Sequence, residues 1–309
     1  MAHERYTLGR IVVNGSSTWN LEGLESKNLS SGIQTLLRRA AGQPDASWIA
    51  VTEVAPRLSA TCSDVETFLS NVAMSGFAFP QSTTYTTVEN YFVNLPDGGV
   101  RDATACVKGA MNKGLIVPRR LTWGLEPPAT IEFDIIATFD GTNAPLILSV
   151  SQTMSGTPVI GEMFRAGPVT INGTTGDSFT SGSFDFGLSE EAARAMDQIY
   201  PTRVHIQARE PEFRFPTSDL SILNTYGISG TAQSATDSVI ALRHMPNRSS
   251  VTADTEEEHI TMTVDDGLIF WEEGGGSNDS DAESTVVLKP IFDGTNEMVV
   301  FATDQALSE

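Results

Sequence analysis

The phrase Phe-Asp-Gly-Thr-Asn stands at residues 139–143 and again at 292–296, 153 residues later in a chain of 309. An echo at half the chain length points to one module copied and joined in tandem. That restricts the fold to something two adjacent copies can both build. The echo persists elsewhere. Leu146, Ile147, Leu148 and Gln152 face Val299, Val300, Phe301 and Gln305 at the same offset, and Gly114, Leu115 and Ile116 face Gly267, Leu268 and Ile269. Val13-Asn14-Gly15-Ser16-Ser17 resembles Ile171-Asn172-Gly173-Thr174-Thr175 at an offset of 158. Pro56, Ser63, Asp64 and Val65 match Pro211, Ser218, Asp219 and Leu220 at 155, and Gln81 and Ser82 match Gln233 and Ser234 at 152. Preserved order with a slowly drifting offset is what insertions and deletions in surface loops leave behind. The expected domains are residues 1–156 and 157–309, divided near Gly156, Thr157 and Pro158.

Helical spacing predicts a helix over residues 33–40, where Ile33, Leu36, Leu37 and Ala40 share one face before Gly42 and Pro44. Ala192, Ala195, Met196 and Ile199 repeat that face 159 residues later, ahead of Pro201. A second helix is expected after a Ser63-Asp64 cap, with Val65, Phe68, Leu69 and Val72 on one side. Its counterpart follows a Ser218-Asp219 cap, carries Leu220 and Leu223, and stops at Gly227. The remainder reads as strand. Ile131, Phe133 and Ile135 alternate with polar neighbours ahead of Asp140-Gly141, a hairpin-turn signal that Asp293-Gly294 repeats. Ile49 and Val51 alternate, as do Val204 and Ile206, and residues 264–268 read as strand, turn, strand. The expected fold is mainly β (α+β): two tandem duplicated antiparallel β-sandwich or barrel domains, each with one or two short helices.

Units of about 150 residues can bury a full core without disulfides or metals. No apolar leader core occupies the first 20 residues and no apolar run reaches bilayer length. A soluble protein made in a cytoplasm, with no membrane partner, is therefore expected. Cys62 and Cys106 align with Thr217 and His259, so a disulfide or metal role would be missing from the second half; buried or incidental thiols are the expectation. The formal charge is −20, from 39 acidic and 19 basic residues. A protein that grips nucleic acid needs clustered Lys and Arg, and the short pairs Arg38-Arg39 and Arg119-Arg120 read as ordinary surface charge.

No pattern in the sequence argues for catalysis, and no cofactor or metal is expected. His205, His244 and His259 lack ligand spacing, and no nucleophile elbow, phosphate loop or dinucleotide fingerprint occurs. Asp279, Asp281 and Glu283 lack the ligand order of a calcium loop, and residues 272–281 read as a flexible acidic loop. The run Glu256, Glu257 and Glu258 reads as a solvated face. Asp140 and Asp293 are explained by turn geometry.

The matched stretches 139–152 with 292–305 and 63–65 with 218–220, set in a β-rich, acidic chain with short helices, make it similar to phage tail tube proteins. It most resembles the major tail tube protein of long-tailed, non-contractile phages in which two tube domains are fused. The resemblance spans the chain and rests on architecture and repetition. It implies that three chains form a ring of six similar domains and that rings stack into a hollow tube in the virion tail. Tail-end and tape-measure proteins would be partners, and DNA would be present only in transit. A carboxylate-rich lumen would repel phosphates. Under this reading the loops at residues 83–101 and 252–281, with Glu256, Glu257, Glu258, Asp279 and Asp281, are candidates for ring-to-ring contacts. Two other classes compete. One is another virion or binding component, such as a receptor-binding or capsid-decoration β-sandwich. The other is a ring-forming sliding clamp, which would need basic helix faces.

Overall fold

Alternation of apolar and polar residues, not helical spacing, shapes most of the chain. The computed structural model describes residues 5–14, 18–79, 87–96, 99–176, 179–228, 231–247, 252–277 and 280–307. The first stretch runs β1 (Arg5–Val13), β2 (Trp19–Leu21), β3 (Leu24–Ser30), β4 (Ile33–Arg39), β5 (Ala46–Val54), β6 (Arg57–Cys62), α1 (Val65–Asn71), β7 (Phe77–Phe79), β8 (Val88–Leu95), β9 (Asp102–Met111), β10 (Gly114–Gly124), β11 (Thr130–Ala137) and β12 (Ile147–Gln152). The second runs β13 (Met163–Ile171), β14 (Thr174–Gly176), β15 (Ser181–Asp185), β16 (Leu188–Arg194), β17 (Pro201–Arg209), β18 (Glu212–Thr217), α2 (Ser221–Thr225), β19 (Gln233–Met245), β20 (His259–Ser277), β21 (Ser280–Pro290) and β22 (Val300–Gln305). The protein is mainly β, and its strand pairs are antiparallel.

In residues 5–152, one sheet has the order β12-β9-β8-β1-β2, and a second group runs β10-β11-β6-β3. In residues 163–305 the same neighbours recur: β22, β20, β19, β13 and β14 in one group, and β20, β21, β18 and β15 in the other. Registers recur as well. The β10/β11 ladder slips between Pro118 and Arg120, and the β20/β21 ladder slips between Trp271 and Glu273, 153 residues on. One difference matters. β9 and β10 are separate strands, whereas β20 runs unbroken through the corresponding point and belongs to both groups. Residues 264–268 are therefore continuous strand, not the expected strand, turn, strand. Their in-register pairing with β19 and β21 removes the need for a turn.

The two halves meet edge to edge. β10 pairs with β15 through Arg120–Asp185, Leu121–Phe184, Thr122–Ser183, Trp123–Gly182 and Gly124–Ser181, which makes one sheet of 13 strands. Beneath this seam lies one contiguous core. Ile131, Phe133 and Ile135 of β11 point into it, and Phe133 meets Phe68 of α1 with ring centroids 4.9 Å apart. Trp123 meets Phe215 across the seam at 6.3 Å, and on the second-half side Phe184 packs on Phe213 at 4.3 Å and Phe179 on Phe215 at 4.8 Å. Fully burying such a side chain stabilises by about 1.5–3 kcal/mol.

α1 forms where its apolar positions place it, with Val65, Phe68 and Leu69 buried. Asp64 is at its N-cap but makes no side-chain capping bond; the Ser63 hydroxyl instead donates to the Gly23 carbonyl at 3.1 Å. α2 starts one residue later than its predicted cap, with Leu220 at the N-cap position. Asp219 accepts from the Ser221 N–H at 2.9 Å, Ser218 is an exposed bend, and Gly227 at φ +66° ends the segment as expected.

The helices expected at residues 33–40 and 192–199 are not formed. Both regions are β-hairpins, β4/β5 and β16/β17. Gly42 and Pro44 were the stop signals, but Gln43 N–H donates to the Ala40 carbonyl in a turn that reverses the chain. Gln198 N–H and Ala195 do the same in the second hairpin. The bulges at Gln34/Thr35 and Arg38/Arg39 recur at Ser189/Glu190 and Ala193/Arg194. These hairpins therefore align at an offset of 155, not 159. Likewise, residues 83–101 are not one loop, because residues 88–95 are the largely buried strand β8.

Gly182 is the tightest point of the seam, since a Cβ there would sit 2.6 Å from the Trp123 ring. Gly182→Val is expected to lose about 1–3 kcal/mol through overpacking. Urea unfolding should show this loss, while Gly161→Val, where a Cβ meets nothing within 4 Å, should stay near wild type.

Candidate functional surface

With alternate side chains in the core, the opposite row forms the open face of the large sheet. Ser26, Asn28, Ser59, Thr61, Glu132 and Asp134 line one depression of it, and Arg120, Thr122, Ser183, Arg214 and Thr285 line the next. The face combines hydroxyls with charges that are paired. Asp134 accepts from Arg57 Nη2, Ser59 Oγ and Arg119 Nε, each at 2.5 Å. Arg119 also grips Glu190 of β16, with its Nη1 at 2.8 Å and its Nη2 at 2.5 Å, a two-pronged bond that crosses the seam. Burial alone would raise the pKa of Asp134, but the bonds from Arg57, Ser59 and Arg119 outweigh it and hold the carboxyl below its ordinary range. Glu190 is lowered in the same way, against burial, by Arg119.

The matching place in the second half holds a cluster of its own. Arg214 donates to Glu212, and to Glu272 at 2.5 Å, while Lys289 reaches Glu212 at 2.9 Å. By register, Glu272 stands where Arg119 does, and Glu212 where Arg57 does. The signs are reversed but the net pairing is kept. A polyanion would have to displace carboxylates to reach Arg57, Arg119, Arg214 or Lys289, so the face does not favour phosphate capture.

A different carboxylate group lies where α1 meets β13 and β22. Glu66 is pushed up to about 8, first by burial and then by a hydrogen bond shared with Glu162 and by the charges of Asp304 and Asp64.

The echoed pentapeptide acquires a local explanation. Asp140 Oδ1 accepts the N–H groups of Thr142 and Asn143, both at 2.7 Å, and its Oδ2 accepts from Asn143 Nδ2 at 3.0 Å. Asp293 repeats this with Thr295 and Asn296 at 2.7, 2.7 and 2.8 Å. Gly141 and Gly294 take φ of +103° and +98°, a region that glycine enters without a steric cost. The turns are not hairpins, however. β11 and β12 lie in different sheets, and β21 and β22 do not pair with each other. Side-chain capping, not strand pairing, fixes their shape.

Of the candidate ring-stacking residues, Glu256 and Glu257 are exposed, while Glu258 is tied to His244 Nδ1 at 2.9 Å. Asp279 lies outside the described residues, and Asp281 falls on the backbone of β21, so residues 252–281 are largely strand rather than one long loop. His259, buried, accepts the His244 N–H at Nδ1 and bonds the Ala253 carbonyl through Nε2, which anchors the 252–258 segment. No sequence pattern marks this pair, because the two histidines come together only through strand pairing. Cys62 and Cys106 are free and buried, and burial pushes the Cys62 thiol up to about 12. Among the described residues no group of three His, Cys, Asp or Glu is placed to hold a metal, and no helix is long and apolar enough to cross a membrane. No protein family and no curated protein matches the chain.

Two pH effects of opposite sign follow. Asp134 and Glu190 have lowered native pKa values, so their contribution is complete above about pH 4.5 and is lost as pH falls through those values. Asp134→Asn should flatten the acid limb of a melting-temperature profile. Glu66 is raised, so its contribution is complete below its ordinary 4.5 and is lost as pH climbs to about 8. Melting wild type and Glu66→Gln from pH 5 to 9 should show a decline in wild type that the variant lacks.

Proposed function

We propose that this chain is a structural virion protein: two tandem tube domains, residues 1–156 and 157–309, that polymerise as stacked rings into a phage tail tube. The observation that carries this reading is the recurrence of one pairing scheme in both halves, joined edge to edge in a single sheet by β10 and β15. A module that continues its own sheet into the next copy is suited to ring or filament growth, because a head-to-tail contact repeats until it closes. Three chains would give six such modules. The lumen would carry the excess of 39 acidic over 19 basic residues, with its arginines already held by carboxylates, so passing DNA would slide rather than stick. On this reading the protein is not an enzyme, needs no cofactor, and meets tail-end and tape-measure proteins in the virion.

The competing classes draw less support. A sliding clamp grips DNA with basic helices, whereas the segment carrying Arg38 and Arg39 is a hairpin and the described helices span seven and five residues. A receptor-binding or decoration module often displays an aromatic platform; here Trp19 and Trp123 are buried, and the exposed Trp48 and Trp271 lie on separate elements.

Negative-stain microscopy of concentrated protein should show tubes of one bore. A stable monomer at every concentration would overturn the proposal. A solved tube with a basic lumen would remove the proposed role of the acidic charge.

A further inference from the structure

We infer that β3 of one copy of this chain adds to the outer end of β20 of the next copy, repeating between chains the contact that β15 and β10 make within one. The inference rests on the self-assembly proposed above and specifies its interface.

Register defines the match. Residues 273–275 of β20 occupy the ladder positions of residues 120–122 of β10, as their pairings with β21 and β11 show; β20 continues through residues 276 and 277, where its ladder with β21 slips between Gly275 and Ser277. Residues 28–30 of β3 occupy those of residues 183–185 of β15, as their pairings with β6 and β18 show, and residues 26 and 27 extend the same strand. β3 ends the large sheet, and among the described residues 273–277 pair only with β21. Both edges therefore present backbone groups that another strand can satisfy. Carrying over the internal register sets Glu273 opposite Ser30, Gly274 opposite Leu29, Gly275 opposite Asn28, Gly276 opposite Lys27 and Ser277 opposite Ser26. At one step the internal seam sets Trp123 against Gly182, where no side chain would fit. Between chains the same step again contains one glycine, Gly276, now on the other strand.

Two further internal contacts predict the same neighbour. The second hairpin reaches back to the first half: Arg194 Nη1 donates to the Thr52 carbonyl at 2.7 Å, and Phe139 N–H donates to the Pro201 carbonyl at 2.7 Å with its ring stacked on Tyr200. The counterparts are Arg39, which would meet the Gln207 carbonyl, and Phe292, which would meet Ala46. Phe292 is 62% exposed in the single chain, whereas Phe139 is half-buried. α1 lies against β22, with Ser70 and Thr303 in contact at 3.5 Å. The counterpart sets α2 on β12, whose Leu148 and Val150 are 61% and 68% exposed. Strand edge, hairpin and helix thus all point to one head-to-tail operation on a second copy.

The test is a cysteine pair, Asn28→Cys with Gly275→Cys, in the full chain; Cys62 and Cys106 are buried and will not compete. Oxidation should give a reducible ladder of multimers that neither single variant forms. The pair Ser26→Cys with Gly275→Cys, two residues off register, should cross-link at least about fivefold less. Arg39→Glu, on an exposed hairpin, should raise the concentration needed for assembly about tenfold, with an unchanged circular dichroism spectrum. Wild type that assembles, with no 28–275 ladder and no effect of Arg39→Glu, would overturn this interface while leaving self-assembly standing. Wild type that stays monomeric, with no ladder, would overturn both.

Discussion

Backbone hydrogen bonding across the β10/β15 seam is the constraint on which the rest of the structure depends. Each strand brings a row of N–H and C=O groups that must find partners once water is excluded, and among the described residues the edge of the outer end of β10 that β11 leaves open is paired by β15 of the other half of the chain. Once those five residue pairs are set, the second hairpin must lie against the first half. That in turn delivers Glu190 to Arg119 and Tyr200 to Phe139. The core follows the same geometry, because one continuous sheet has one continuous inner face.

The open face shows how charge can be present without being available. Arg57 and Arg119 converge on Asp134 and Glu190, and Arg214 and Lys289 converge on Glu212 and Glu272. At two matching ladder positions, Arg57 with Glu212 and Arg119 with Glu272, the sign is reversed. The residues differ position by position, yet each cluster pairs two cations with two carboxylates, as expected when the cost of an unpaired charge on a partly buried face acts on the cluster rather than on any one residue. Between these clusters lie Ser, Thr and Asn side chains, short groups that form brief hydrogen bonds and no strong ion pairs.

Legibility in the sequence depended on how local the signal was. The alternation of Ile131, Phe133 and Ile135 is a two-residue period that one strand can express unaided, and it was readable. The Val65, Phe68 and Leu69 face was readable for the same reason. Residues 33–40 were misread because Ile33, Leu36, Leu37 and Ala40 fit a helical spacing, while the deciding contacts lie across the ladder with Ile49, Ala50 and Val51. Gly42 serves a turn as well as a helix end, so the punctuation could not separate the two. The Asp140 turn was found, but its partner strands were not, since a capped turn and a hairpin begin with the same Asp-Gly. The charge clusters were invisible: Arg57, Arg119, Asp134 and Glu190 are up to 133 residues apart and meet only in the folded sheet.

By itself, the sequence determined the mainly β class, the short α1, the presence of turns at Asp140 and Asp293, and the echo of residues 139–143 at 292–296. These depend on neighbours a few residues away or on direct comparison of the two halves. Only the tertiary structure decided that residues 33–54 and 188–209 are hairpins, that β20 runs unbroken, and that β10 and β15 carry one sheet across the middle of the chain. Such choices are made by backbone groups, which every residue shares and no side-chain pattern distinguishes. Strand partners separated by tens of residues can be read only once the chain has brought them together.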